Sequence, residues 1–172
     1  MAREILQEEP SWKKNVLMYV YTPLMILPII LVFVYYNYVG IDVLVVCGWA
    51  VLAVSVALVL SAGHEFRQKG GVPEGEHLIH TTRVVTTGVY AVVRHPQYLG
   101  FILIILSFVM MSQHWLSIIS GGTGSLLFYI DVLKEDQVNI RKFGEEYSNY
   151  KNKVPAMNFV VGLERLLRHK KE

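Results

Sequence analysis

The stretch Val16–Ala62, VLMYVYTPLMILPIILVFVYYNYVGIDVLVVCGWAVLAVSVALVLSA, decides the fold class. It contains two long apolar runs, 16–38 and 41–62, joined by a link that is too short for anything but a tight turn. A helix of about 20 residues crosses the roughly 30 Å hydrocarbon core of a bilayer. The sequence therefore predicts two transmembrane helices that form an antiparallel hairpin.

Two further apolar runs, 96–113 and 115–133, follow a polar loop at 63–95, and a tight turn again joins them. The rest of the chain, 134–172, is rich in charge and predicts a helical segment outside the membrane. We therefore predict an all-α integral membrane protein. It has four transmembrane helices in two antiparallel hairpins, then a C-terminal helical segment, in a single membrane domain that covers residues 1–172.

The composition and the placement of the charges support this class. Hydrophobic residues make up 53% of the chain and charged residues only 17%, whereas soluble domains carry about 25% charged residues. All 16 Lys and Arg residues lie before the first run, in the polar loop or after the fourth run. The positive-inside rule then places both termini and the polar loop in the cytoplasm. No pattern typical of nucleic-acid binding is present.

A cationic pair lies at the start of the third predicted helix. Arg94 and His95 directly precede Pro96, which is a favourable first position of a helix. An arginine fork and free N–H groups at a helix N-terminus both suit a carboxylate. Gly88 and Gly100 would allow a ligand or another helix to approach the backbone closely. A snorkelling arginine at the membrane surface is the alternative, and the spacing leaves both interpretations open.

Acidic residues mark the corresponding end of the fourth helix. Asp131 lies within the apolar run, and Glu135 and Asp136 follow just outside it. An acid at membrane depth is a functional candidate when it faces the bundle, whereas a solvated helix end is the alternative. Together with Arg94 and His95, these acids would suit a ligand that carries both a carboxylate and an ammonium group, a description that many ligands fit.

Two other polar patterns carry weaker signals. Glu76, His77 and His80 lie in a glycine-rich loop without further ligands, so a solvated loop is favoured and no metal site is predicted. The basic C-terminal tail would either attract anionic lipid or form a solvated terminal helix. Its cations are Arg165, Arg168, Lys170 and Lys171.

The sequence Arg94–Gly100, RHPQYLG, resembles the Arg-His-Pro-x-Tyr-x-Gly signature of the isoprenylcysteine carboxyl methyltransferase and phospholipid methyltransferase superfamily. A second signature of that superfamily is a pair of acids, an aromatic-Gly-x-x-Tyr-x-x-Tyr run and a Val-Pro. Similar residues stand here at Lys134–Asp136, Phe143–Tyr150 and Val154–Pro155. Order and spacing agree over about 88–155. The superfamily often has two glutamates where this chain has Glu and Asp.

The resemblance implies a membrane methyltransferase that holds S-adenosylmethionine in a cytosolic pocket. Arg94, His95 and Glu135 would be catalytic: Arg94 would orient the reacting groups, and His95 or Glu135 would act as a base for an amine acceptor. A lipidic or apolar acceptor, such as an isoprenylcysteine carboxylate or a phospholipid amine, would enter from the bilayer. The donor-binding residues implied are Gly88, Tyr90, Arg94, His95, Tyr98, Gly100, Asp131, Glu135, Asp136, Tyr147 and Tyr150.

Two other functions fit part of the pattern. Membrane sterol reductases share a similar Arg-His-Pro-x-Tyr motif but use NADPH, and they are usually larger than this chain. A non-catalytic lipid-binding protein would explain the predicted spans, but it would leave the paired motifs without a purpose. Binding of NADPH, or of neither cofactor, would distinguish these alternatives from a methyltransferase.

Overall fold

The computed structural model describes residues 11–71 and 81–169, with side chains described for 16–71 and 81–168. Helices dominate these residues, no strand occurs among them, and the predicted all-α class is confirmed there. The helices are α1 (Ser11–Val34), α2 (Asp42–Lys69), α3 (Pro96–Ser112), α4 (Trp115–Phe143), α5 (Glu145–Lys153) and α6 (Phe159–His169), with a 3-10 helix at Gly88–Ala91. The interpretations of residues 76, 77, 80, 170 and 171 lie outside the described residues.

Three helices of the described part are long and apolar enough to cross a membrane. They are α1 over Val16–Val34, α2 and α4, whereas α3 is a shorter apolar helix of 17 residues. The membrane class is therefore supported. The arrangement of four spans in two hairpins, with both termini in the cytoplasm, stays a prediction.

Several helix ends differ from those predicted from the apolar runs. Helix α1 stops at Val34 rather than Tyr38, because the chain turns through left-handed backbone at Asn37 and Gly40, with φ of 52° and 82°. Helix α2 continues over 63–69, which the sequence analysis assigned to the polar loop. The end of an apolar run marks a change in side-chain polarity. It does not mark the end of the helix, because polar side chains are also compatible with helix.

A similar difference affects the C-terminal segment. Helix α4 continues over residues 134–143, which were predicted to belong to a separate segment, and it ends at Phe143, just before Gly144. Gly144 has a φ of 61° and a ψ of −132°, a conformation that glycine adopts far more readily than residues with a side chain. The next helix, α5, ends just before Pro155, as the proline predicts.

The described residues form two compact units. The first contains the residues up to Val54 together with Ile102–Glu135, and the second contains Ser55–Phe101 and the residues from Asp136 onwards. Helices of the first unit approach each other at glycines. A Cβ atom on Gly48 would lie 2.9 Å from Met111 Cγ, and one on Gly124 would lie 3.0 Å from Met25 Cγ. Small residues at these crossings allow close helix packing.

In the first unit, the Gln113 side chain joins the two short turns. Its Nε2 donates to Asn37 Oδ1 at 2.8 Å and to the Ile41 carbonyl oxygen at 2.9 Å. Its Oε1 accepts from the Ile41 backbone N–H at 3.0 Å. Gln113 is buried, Asn37 is half-buried and Ile41 is exposed, so these bonds are partly shielded from water. One side chain therefore fixes the turn after α1 against the turn after α3.

We expect Gln113→Ala to destabilise the protein by about 2 kcal/mol, since it removes three partly buried hydrogen bonds to Asn37 and Ile41. Thermal unfolding in detergent measures the effect. Gln68→Ala, which truncates an exposed glutamine of α2, is the matched control and should change the unfolding temperature little. Equal unfolding temperatures for the two variants would contradict the bridging role.

Candidate active site

The two signature motifs meet in the second unit through their backbones. The Arg94 N–H donates to the Pro155 carbonyl oxygen at 3.0 Å, and the His95 N–H donates to the Ala156 carbonyl oxygen at 3.0 Å. Pro96 then begins α3, where its missing N–H costs no helical hydrogen bond. The Arg-His-Pro and Val-Pro segments therefore form one structural element, although about 60 residues of chain separate them.

A buried carboxylate, Asp136, is the centre of this element. Its side chain is only 2% exposed. The Arg94 guanidinium binds it in a bidentate manner, with Nε 3.0 Å from Oδ1 and Nη2 2.8 Å from Oδ2. Oδ1 also lies 2.8 Å from His95 Nε2 and accepts the Tyr147 hydroxyl at 2.7 Å. Charge-assisted bonds of this kind are the strongest hydrogen bonds in proteins.

This pairing changes the interpretation of the charges. The sequence predicts that Arg94 and Asp136 belong to two clusters that bind one ligand, whereas the structure pairs them with each other. The remaining Arg94 group, Nη1, donates to the Val154 carbonyl oxygen at 2.6 Å. Because most of its donors are used, Arg94 holds the site together. Its predicted role in orienting reacting groups stays a prediction.

Sequence reasoning missed one cation of the site, Lys151. Its Nζ lies 3.6 Å from Asp136 Oδ2, and its side chain is 30% exposed. Arg94 and Lys151 together outweigh the single charge of Asp136, so the site carries surplus positive charge. Lys151 stands four residues after Tyr147 on α5, and that spacing places both on one helix face. This spacing is the signal that could have revealed it.

Buried tyrosines support the same element. Tyr147 and Tyr150 pack with Val154, and the Tyr150 hydroxyl donates to the Tyr90 carbonyl oxygen at 2.7 Å. Burial raises the pKa of Tyr147, and its bond to Asp136 adds to this shift. Burial also raises the pKa of Tyr150, and the electrostatic effect of Tyr147 acts in the same direction. Both phenols are therefore neutral donors at physiological pH, and their predicted contact with the methyl donor stays a prediction.

Tyr90 lies in a separate buried cluster with Ala62 and Val85. Burial raises the pKa of Tyr90 to about 12, and the negative charge of Glu65 acts in the same direction. Tyr98 lies beside the Asp136 site, with its ring centroid 5.7 Å from that of His95. Tyr98 is half-buried, so it is the predicted donor-binding tyrosine that retains exposed surface.

The two predicted site glycines have distinct surroundings. Gly88 has a φ of 58°, and a Cβ atom there would lie 2.6 Å from the Glu65 carboxyl carbon. A Cβ atom on Gly100 would overlap the Val59 side chain, so Gly100 allows α3 to pack against α2. Both glycines are thus explained by backbone conformation or packing, and their contact with a ligand stays a prediction.

We expect Gly88→Ala to destabilise the protein by about 1–2 kcal/mol, because a side chain disfavours left-handed backbone. The Glu65 carboxylate must also shift, although it is held by Lys69 at 2.8 Å. Gly63→Ala on α2 is the control: nothing lies within 4 Å of its new Cβ atom, and alanine favours helix. The unfolding temperature of Gly88→Ala should be lower than that of the wild type, and that of Gly63→Ala should equal or exceed it. The reverse order would refute this account.

The two remaining predicted acids belong to the first unit. Asp131 Oδ2 lies 3.4 Å from the Tyr21 hydroxyl, and Asp131 Oδ1 lies 3.3 Å from Lys134 Nζ. Glu135 is half-buried on α4. The other predicted residues belong to the second unit. They are Gly88, Tyr90, Arg94, His95, Tyr98, Gly100, Asp136, Tyr147 and Tyr150.

Comparisons with known proteins agree with the motifs. The family model of the phospholipid methyltransferases matches residues 43–146. The Schizosaccharomyces pombe protein-S-isoprenylcysteine O-methyltransferase is 29% identical over 106 residues, which cover 56% of this chain and 45% of that protein. The Homo sapiens enzyme of that name is 34% identical over 86 residues, 49% of this chain and 30% of the relative.

The chain therefore spans less than half the length of these curated relatives. No solved structure matches it. The family model, however, covers more than half of the chain, including both the Arg-His-Pro motif and Asp136. The chain belongs to the phospholipid methyltransferase family.

Proposed function

We propose that the protein is an S-adenosylmethionine-dependent membrane methyltransferase that acts on a lipidic or apolar acceptor at the cytoplasmic face. Family membership supports methyl transfer. Helices α1, α2 and α4, which are apolar and long enough to cross a bilayer, support a membrane location. In the proposed topology α3 also spans the membrane, and both termini are cytoplasmic.

The observation that carries this proposal is the Asp136 site. One buried carboxylate binds the arginine and histidine of the first motif and Tyr147 of the second, at 2.7 to 3.0 Å. A site in which the motif residues depend on one another suits a reaction that needs alignment more than covalent help. Holding the reacting atoms in line supplies much of the rate enhancement in such a transfer.

The residues present fit the chemical groups of S-adenosylmethionine. The positive charge that Lys151 adds beside the Arg94–Asp136 pair suits its carboxylate. Tyr98 offers an aromatic surface, and Glu135 offers a carboxylate for its ammonium group or ribose. When bound, S-adenosylmethionine supplies a methyl group that its sulfonium already activates.

The hydrogen bond of His95 to Asp136 supports a proposed role for its other ring nitrogen. A neutral imidazole that donates from Nε2 to Asp136 Oδ1, 2.8 Å away, keeps Nδ1 as the acceptor nitrogen. We propose that this Nδ1 atom accepts the proton that an amine acceptor must lose. A carboxylate acceptor is already deprotonated at neutral pH, so it needs only to be positioned.

The test is calorimetry on the purified protein in detergent with S-adenosylmethionine, S-adenosylhomocysteine and NADPH. Vesicle assays then follow methyl transfer to phosphatidylethanolamine and to a farnesylcysteine carboxylate. We expect both adenosyl ligands to bind and one acceptor class to be methylated. Binding of NADPH alone would favour a reductase, and binding of neither cofactor would favour a lipid-binding protein. Either result would overturn the proposal.

A further inference from the structure

The C-terminal helix α6, Phe159–His169, has one strongly apolar face. At about 100° per residue, Val161 lies on the opposite side and the other large apolar side chains share one side. They are Phe159, Val160, Leu163, Leu166 and Leu167, which we call the apolar face of α6. Val160 is 75% exposed and Leu167 54% exposed within the protein. This face is therefore largely uncovered by the described residues.

A different side of α6 attaches the helix to the second unit. A Cβ atom on Gly162 would overlap the Val92 carbonyl oxygen, so the two backbones are in direct contact there. The Arg165 guanidinium donates to the carbonyl oxygens of Ala91 and Lys153. The helix is thus fixed by Gly162 and Arg165, and its apolar face points away from this attachment.

The attachment point lies close to the start of an apolar helix. Val92 precedes Pro96, the first residue of α3, by four residues, which is a reach of at most about 14 Å. Helix α6 has 11 residues. Since a span needs about 20 residues, α6 is too short to cross a bilayer and can bury its apolar face in lipid only by lying along the surface.

The charges around α6 complete the pattern of a surface-lying helix. Arg168 is exposed on the side away from the apolar face and pairs with Glu164. In the sequence, Lys170 and Lys171 follow, outside the described residues. Cations on the polar side of an amphipathic helix are attracted to the anionic headgroups of a membrane.

We propose that α6 lies in the membrane interface, with its apolar face among the acyl chains and its cations at the anionic phosphates. The attachment through Gly162 and Arg165 then fixes the Ala91–Arg94 segment of the Asp136 site at the lipid surface. The inference depends on a membrane location and not on methyl transfer, and its test uses no methyl donor.

The experiment labels single cysteines of the full chain with an environment-sensitive fluorophore. Cys47 is the only cysteine, so Cys47→Ser provides the background. Val160→Cys on the apolar face and Val161→Cys on the opposite side form a matched pair, because both valines are exposed neighbours. The variants are reconstituted into vesicles of phosphatidylcholine and phosphatidylglycerol that contain a lipid with a nitroxide high on its acyl chain.

We expect the nitroxide lipid to quench the label at 160 several-fold more strongly than the label at 161, with Leu167→Cys behaving like position 160. Equal quenching at 160 and 161 would overturn the proposal. A blue-shifted label at 160 that lipid does not quench would also overturn it, because a second protein surface would then cover the face. Unfolding temperatures equal to that of Cys47→Ser show that the label positions report on the native fold.

Discussion

Asp136→Ala is expected to lower the free energy of unfolding by about 3–5 kcal/mol, which is the usual cost of removing one partner of a buried ion pair. The substitution leaves Arg94, which is almost fully buried, without its bidentate acceptor. His95 and Tyr147 lose their acceptor as well. In detergent, the apparent unfolding temperature should fall by roughly 10 °C.

The control for Asp136→Ala is Glu145→Ala at the start of α5. Glu145 is also acidic but is exposed, so its removal should cost less than about 1 kcal/mol. Asp136→Asn should have an intermediate effect, because its one remaining oxygen can still accept from Arg94. If Asp136→Ala and Glu145→Ala unfolded at the same temperature, the buried network would not hold the two motifs together.

Glu135→Ala, one residue earlier, is expected to lower the unfolding temperature less than Asp136→Ala does and to weaken S-adenosylmethionine binding by about 10- to 100-fold. That range corresponds to a lost charge-assisted hydrogen bond of about 1.5–3 kcal/mol. Glu135 is half-buried, whereas Asp136 is buried in the network of Arg94 and His95. Glu135→Ala should therefore act mainly on donor binding, whereas Asp136→Ala should act mainly on stability.

Calorimetry on Glu135→Ala beside wild type measures this effect, and Glu145→Ala should bind as wild type does. Full affinity in Glu135→Ala would remove Glu135 from the proposed donor site. It would leave the methyltransferase assignment intact as long as the wild-type protein binds S-adenosylmethionine. No adenosyl binding by the wild type would instead reject the proposed function itself.

The helices could be predicted from sequence only where they are apolar. The runs 16–38, 41–62, 96–113 and 115–133 each overlap a helix, because a long apolar run is typical of a membrane-spanning helix, in which the backbone groups are paired. The true ends of α2 and α4 lie beyond these runs, since a helix in water ends for conformational reasons. Gly144, with its φ of 61°, illustrates this, because its special conformation has no hydropathy signal.

The composition of the candidate site could be predicted, but not its pairing. Arg94 and Asp136 stand 42 residues apart, and sequence spacing does not show that they bind each other. A buried carboxylate must be paired, so burial determined the pairing, and burial is known only once the chain has folded. Lys151 could not be assigned to the site for the same reason, because its place there depends on its distance to Asp136 in the folded chain.

The Gln113 bridge has a consequence for how the protein is made. Asn37 and Ile41 leave the ribosome more than 70 residues before Gln113, their shared partner. At a synthesis rate of about 5–20 residues per second, several seconds pass before Gln113 is available to bind the polar groups of this turn. The first two helices therefore complete their tertiary structure only after the third helix has been synthesised. A nascent chain arrested before residue 113 should show this turn as accessible to proteases, and one arrested well beyond it should not.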